Sequence, residues 1–177
     1  RRYTLLGTLY REDPVPEPAG KYDIPAVRPK GWAIAGFEID GMKLNLKVGR
    51  WETDGVKEIW ELLPEKGLQI EWNYPYAGND VYLVMEGAVH VKADGHDFTA
   101  GKRDVINIPP YYKHTLTVLE EGTVIYAYNV QSCLMHVMER LKAEKIRTPE
   151  NLKDWGYVEK ILRENNCWVT GIRKITV

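Results

Sequence analysis

The stretch Gly67-Leu-Gln-Ile-Glu-Trp-Asn-Tyr-Pro-Tyr-Ala-Gly-Asn-Asp-Val-Tyr-Leu-Val-Met-Glu-Gly87 decides the fold. Its first half sets Leu68, Ile70, Trp72 and Tyr74 against Gln69, Glu71 and Asn73. This strict alternation gives a strand one apolar face and one polar face. Its second half, Val81 to Met85, is apolar at every position, as a strand covered on both sides would be.

The same rhythm continues outward. Leu44, Leu46 and Val48 alternate with Asn45 and Lys47, and Ile59 to Leu63 follows a turn at Thr53-Asp54-Gly55. Downstream come Val89 and Val91, a turn at Ala93-Asp94-Gly95-His96, the run Asp104 to Ile108, and His114 to Leu119. A turn at Glu120-Glu121-Gly122 then leads into Thr123 to Val130. So many short strands between turn signals predict a sandwich or barrel.

The two ends read differently. Residues 1–34 form an irregular arm, because Asp13-Pro14-Val15-Pro16-Glu17-Pro18-Ala19-Gly20 can continue neither a helix nor a central strand. After Gln131 the period lengthens: Leu134, Val137, Met138 and Leu141 share one helical face opposite Glu139, Arg140 and Lys142. Thr148-Pro149 reads as an N-cap and first helical residue. Leu152, Trp155 and Leu162 extend an apolar stripe that Gly156 could split, Asn165-Asn166 could end it, and Trp168 to Val177 could form a final strand. The division is an arm over 1–34, a β-barrel over 35–130 and a helical extension over 131–177.

At 177 residues the chain suits one domain with a sizeable core. Lys+Arg 24 against Asp+Glu 25 leaves a formal charge of −1, which argues against nucleic acid as a partner. No apolar run reaches the roughly 18 residues of a membrane span, and Arg1-Arg2-Tyr3-Thr4 does not lead into a signal-peptide core. Cys133 and Cys167 stand far apart without a CxxC spacing, so reduced thiols and a cytoplasmic protein are expected. With no initiator methionine, a processed or excised part of a longer, even two-barrel, protein is one reading. Trp 6 and Tyr 11 against Phe 2 favour half-wet cavities over dry cores.

Residues 37–130 resemble the cupin superfamily, small jelly-roll β-barrels with two short motifs. The first runs glycine, five residues, His-x-His, three or four residues, Glu, six residues, Gly. Gly67, Asn73-Tyr74-Pro75-Tyr76, Asp80 and Gly87 keep that frame. The second runs Gly, five residues, Pro-x-Gly, two residues, His, three residues, Asn. Here Pro109 and His114 are kept, while Arg103 and Tyr111 replace the glycines and Val118 the asparagine. The resemblance implies a mostly β fold: one cupin-type jelly-roll β-barrel with an irregular N-terminal arm and C-terminal helices.

In that family three histidines and a glutamate hold a divalent transition metal. Carried over, only His114 is an intact ligand, with Asp80 a shortened substitute for the glutamate. The other positions are Asn73 and Pro75 with four residues before Asp80, or Tyr74 and Tyr76 with three. The alternation favours the tyrosines, which would share the inward face of Leu68, Ile70 and Trp72. Neutral tyrosine, asparagine and proline are weak donors or none. His96 in a turn, His136 on a helix and His90 between Val89 and Val91 do not complete a set. The expectation is therefore no tightly bound metal; any metal would rest on His114 and Asp80.

A barrel without its metal still encloses a cavity. Candidate ligand-binding residues are Tyr74, Tyr76, Asp80, Tyr82, His114, Tyr128 and Trp72, with Tyr126 beside them and Tyr111 and Tyr112 near the mouth. The first functional reading is a metal-free cupin that binds a small organic molecule. The alternative is an enzyme. It would be either a metal-dependent dioxygenase, decarboxylase or isomerase with unusual ligands, or a metal-free epimerase-like catalyst using His114 with Tyr74 or Tyr126. The expected partners are a small molecule and a second copy of the chain, a homodimer, with no membrane and no nucleic acid.

Overall fold

The structure is a computed structural model and describes residues 25–39, 41–53, 57–73, 79–129, 134–144, 155–164 and 169–177. Among the described residues eleven strands form two antiparallel sheets. The first sheet runs β1 (Ala35–Ile39), β2 (Met42–Val48), β3 (Glu58–Pro64), β10 (Val124–Asn129), β5 (Asp80–Glu86), β8 (Val105–Ile108). The second runs β11 (Val169–Lys174), β4 (Leu68–Asn73), β9 (Lys113–Val118), β6 (Ala88–Ala93), β7 (His96–Gly101). Arg50–Glu52 is a 3-10 turn between β2 and β3.

Alternation sorts the side chains. Leu44, Leu46, Trp60, Leu62, Tyr82, Val84, Ile106 and Ile125 are buried from the first sheet, and Leu68, Ile70, Val89, Val91, Leu116 and Val118 from the second. They form one core between the sheets. Each such large apolar side chain contributes about 1.5–3 kcal/mol of transfer free energy. The chain is thus mostly β, a jelly roll built as two facing sheets.

Two local readings are corrected. The strand β5 is not equally covered on both sides: Asp80, Tyr82 and Val84 are buried, but Met85 is 38% exposed. His96 does not sit in the turn. Asp94 and Gly95 form it, with φ of 45° and 86°, and His96 opens β7, an edge strand whose sequence His-Asp-Phe-Thr has little alternation to reveal it.

The helix α1 (Leu134–Ala143) buries Val137, Met138 and Leu141 and packs on β1. The helix α2 (Trp155–Glu164) buries Val158, Ile161 and Leu162 and packs on α1 and β11. Gly156 lies in its first turn and does not split it. The helices therefore cover the side of the sandwich where the edge strands β1 and β11 lie. The Thr148-Pro149 cap and Leu152 lie outside the described residues.

Residues 25–34 carry no strand or helix, yet they are anchored. Ile34 N–H donates to Leu46 O at 2.9 Å, and the Lys47 ammonium donates to Pro29 O at 2.7 Å and to Trp32 O. Glu61 accepts from Gly31 N at 2.9 Å and Asn45 Nδ2 at 3.0 Å. Arg28 grips Glu52 with both guanidinium nitrogens. Glu61 follows Trp60, so it points to the outer face of the first sheet, where this segment lies.

The four positions where the cupin frame asks for glycine share one backbone conformation. Gly67 and Gly87 have φ of 82° and 76°, and Arg103 and Tyr111 have 73° and 70°. Glycine is required at the first two for space as well. A Cβ on Gly67 would lie 2.4 Å from Ile175 O, and one on Gly87 would lie 2.2 Å from Thr123 Oγ1. Arg103 and Tyr111 keep the same left-handed backbone at a steric cost that glycine would not carry.

Candidate functional site

One end of the sandwich gathers the starts of β3, β5 and β9 and the ends of β4, β6 and β10. His114 is the second residue of β9, with Trp72 and Ala93 as its cross-strand neighbours, which sets it on the inward face with Leu116 and Val118. Tyr82 comes from the opposite sheet, on the same face as Trp60 and Val84. Its hydroxyl meets His114 Nε2 at 3.1 Å. Asp80, two residues earlier on the same face, brings Oδ2 to 3.8 Å from Nε2. All three side chains are buried.

Burial pushes the His114 imidazole down to about 4, against a weaker opposing pull from the Tyr112 carbonyl. The ring is therefore neutral at neutral pH, and its contact with Asp80 is not an ion pair there. Nδ1 faces the carbonyl oxygen of Tyr112 at 3.4 Å. A carbonyl only accepts, so this contact favours the tautomer with its proton on Nδ1, in which Nε2 offers a lone pair to the interior. The Tyr82 hydroxyl is then the donor to Nε2.

Glu58 shares this end of the interior, a residue that sequence reasoning missed. It pairs with Asn129 at the end of β10, is 1% exposed, and accepts from Trp60 Nε1 at 2.8 Å and from Leu134 N at 3.0 Å. Alternation with Trp60 and Leu62 was the available signal.

The candidate residues do not all converge. Tyr82, Asp80 and His114 come together, and Trp72 occupies the strand position beside His114. Tyr126 and Tyr128 do not line the interior, which corrects the sequence expectation. Tyr126 pairs with Leu83 and Glu61, and Tyr128 with Val81 and Ile59, so both face away from Tyr82. The Tyr126 hydroxyl donates to Glu61 Oε2 at 3.2 Å, and the Tyr128 ring receives the Lys57 ammonium 5.4 Å from its centroid. Burial and the Glu61 charge raise the Tyr126 phenol, opposite to the tuning a catalytic acid needs. Tyr74 and Tyr76 lie outside the described residues.

A sandwich of this topology, with an imidazole and a carboxylate meeting between its sheets, has the cupin fold. No family model matches the chain, and no curated protein matches it significantly. Solved structures do match. A predicted oxalate decarboxylase from Thermotoga maritima is 10% identical with a TM-score of 0.51, over 60% of this chain and 98% of that one. The ectoine synthase from P. lautus is 10% identical with a TM-score of 0.51, over 60% of this chain and 78% of its own. An RmlC-like cupin from Shewanella frigidimarina is 18% identical with a TM-score of 0.47, over 60% and 92%. At these identities the likeness is one of fold, and the chemistry has to be argued from this chain's residues.

The metal that cupins commonly carry needs three or four nitrogen or oxygen donors around one point. Among the described residues no three His, Cys, Asp or Glu side chains converge, and Nε2 of His114 is engaged by Tyr82. The described donors at this end, the His114 imidazole and the Asp80 and Glu58 carboxylates, do not converge as that requirement demands. No helix among the described residues is long and apolar enough to cross a membrane.

Proposed function

We propose that the protein binds a small organic molecule between its sheets, at the end that holds His114, Tyr82 and Asp80, and does so without a tightly held metal. The observation that carries this reading is the Tyr82 hydroxyl 3.1 Å from His114 Nε2, with Asp80 Oδ2 3.8 Å from the same nitrogen. A few converging polar groups set in apolar walls are what a small-molecule site requires. The net charge of −1 supports a small-molecule partner over nucleic acid. A cytoplasmic setting agrees with cysteines that lack disulfide or zinc spacing, and a homodimer is the state implied by the resemblance to cupins. Elemental analysis of protein purified without added metal tests the central point. Substoichiometric transition metal is the expected result, and one firmly held equivalent per chain would overturn it. Light scattering reads out the dimer.

A catalytic reading is favoured by the same hydrogen bond. A tyrosine that donates to a neutral histidine can pass a proton between substrate atoms, and Tyr82 would then take the part expected of Tyr74 or Tyr126. In that case His114→Ala and Tyr82→Phe each abolish turnover of the substrate while chelators leave it intact. Activity retained in both variants removes the catalytic reading.

A further inference from the structure

The geometry points to a second recognition surface, the free edge of β1, and to its occupant. An extended peptide segment of a partner protein adds there as a further strand, in the cleft between β1 and α1. It carries apolar side chains at alternate positions and an acidic one toward Lys142.

The first argument is the edge itself. β1 pairs with β2 on one side and with no strand on the other. The backbone N–H and C=O groups of its outer side meet no backbone partner among the described residues. Such a row is a template for another strand. α1 packs on β1 yet leaves a cleft of about 310 Å³ along it, walled by Phe37 and Ile39 on one side and by Met138 and Leu141 on the other. A second cleft of about 440 Å³ shares Glu38, Ile39 and Lys43 with the first and continues past the end of β1 to Ile172 of β11. An edge strand with a groove beside it can bind a peptide through the backbone while alternate side chains fill the groove.

The second argument is Gly36, in the middle of β1. Its φ lies outside the left-handed region, and beyond its chain neighbours the atom nearest to an added Cβ would be Asn45 Oδ1, at 3.6 Å. Neither a turn nor crowding within this chain demands glycine there, and glycine weakens a strand. A bare position on an edge strand favours the close approach of another backbone.

The third argument, charge and shape, selects the occupant. Glu38 and Lys43 stand opposite each other on β1 and β2, and their charges offset. The ion pairs of α1 run from Arg140 to Glu144 and Glu164 and leave Lys142 out. Its ammonium lies 5.8 Å from the centroid of the Phe37 ring, beside the cleft. A carboxylate on the helix side of the incoming strand meets that charge. A second copy of this chain fits worse, because its own β1 carries α1. A two-fold axis pairing two β1 strands would bring both helices to the same side of the joined sheet, where they collide.

The test is an NMR titration of the full chain with three synthetic peptides, following the amides of β1 and of Lys142. The first is acetyl-Val-Thr-Val-Thr-Glu-amide, and the second has lysine in place of the glutamate. The third is the first peptide N-methylated at its second and third residues, so that one donor toward β1 is lost in either register. The first peptide is expected to shift these amides and to bind about fivefold more tightly than the lysine peptide, a preference that disappears in Lys142→Gln. The N-methylated peptide is expected to bind at least about fivefold more weakly than the first. Equal affinity for the acidic and lysine peptides, or for the acidic and N-methylated ones, would overturn the proposal. Shifts that avoid β1, or none with peptide at millimolar concentration, would do the same. So would a dimer in light scattering whose formation moves the β1 amides, since a second copy would then be the occupant. The His114 ring signals are expected to stay in place throughout, which keeps this result separate from the interior site.

Discussion

Tyr82 and His114 stand on opposite sheets and join them through one hydrogen bond of 3.1 Å, with ring centroids 5.9 Å apart and planes tilted by 58°. The bond is a link in the core as well as a feature of the site. Tyr82→Phe keeps the ring and removes the donor, leaving a buried acceptor without it. A loss of about 1–2 kcal/mol in urea unfolding is expected, with unchanged strand content by circular dichroism.

Acid should loosen the protein through His114. Its folded pKa is about 4 against an ordinary 6.5, so between these values the unfolded chain binds the extra proton. Stability from this group is complete above 6.5 and is lost as pH falls toward 4, by up to about 3 kcal/mol. Urea midpoints compared at pH 7 and pH 4.5 check this. His114→Gln should start less stable and show a flatter pH dependence over that interval.

Gly87→Ala should be among the most damaging single-methyl changes. The new Cβ would meet Thr123 Oγ1 at 2.2 Å and Thr123 Cα at 2.9 Å, and φ is 76°. Backbone strain and overpacking together predict a loss of about 2–4 kcal/mol, measured by thermal or urea unfolding.

Arg103→Gly should act in the opposite sense. Arg103 is exposed and left-handed at 73°, so glycine relieves strain and surrenders little packing. After the extra chain entropy of glycine is set against it, a gain of about 0.5–1 kcal/mol is expected from the same measurement.

The Lys47–Glu61 pair holds the irregular N-terminal segment in place. Burial raises the Glu61 carboxyl, but Asn45, the Gly31 amide, Lys47 and Tyr126 together hold it below the usual carboxylate range. Glu61→Ala would leave Lys47 buried without its carboxylate, at a cost of about 3 kcal/mol. Faster trypsin cleavage after Lys30 is the local readout, because Gly31 loses the acceptor for its N–H.

The strand content, the two-sheet architecture and the cupin frame were legible because alternation and turn residues are local signals. Leu68 and Ile70 show which face of β4 turns inward, and Gly67 and Gly87 mark tight backbone positions. What was not legible depends on parity and depth. The notion that Tyr126 and Tyr128 line the interior failed because alternation within β10 does not by itself say which face meets the other sheet; the ladder to Tyr82 through Ala127 decides it. Glu58 was missed because a charged residue at the start of a strand usually reads as solvated. The left-handed Arg103 and Tyr111 were visible only as departures from a motif, with nothing to say that the backbone stays where the glycines would put it.

The pairing of β11 with β4 bears on how anything reaches His114. β4 is hydrogen-bonded along both edges, to β9 on one side and β11 on the other, and the Gly67 carbonyl accepts from Ile175 N at 2.8 Å. A doubly clasped strand resists breathing, so exchange of molecules with the interior should proceed by swinging of the Pro109–Tyr112 loop and not by parting of the wall. Amide hydrogens in the middle of β4 should then outlast those of that loop in deuterium exchange, by as much as separates global from local opening.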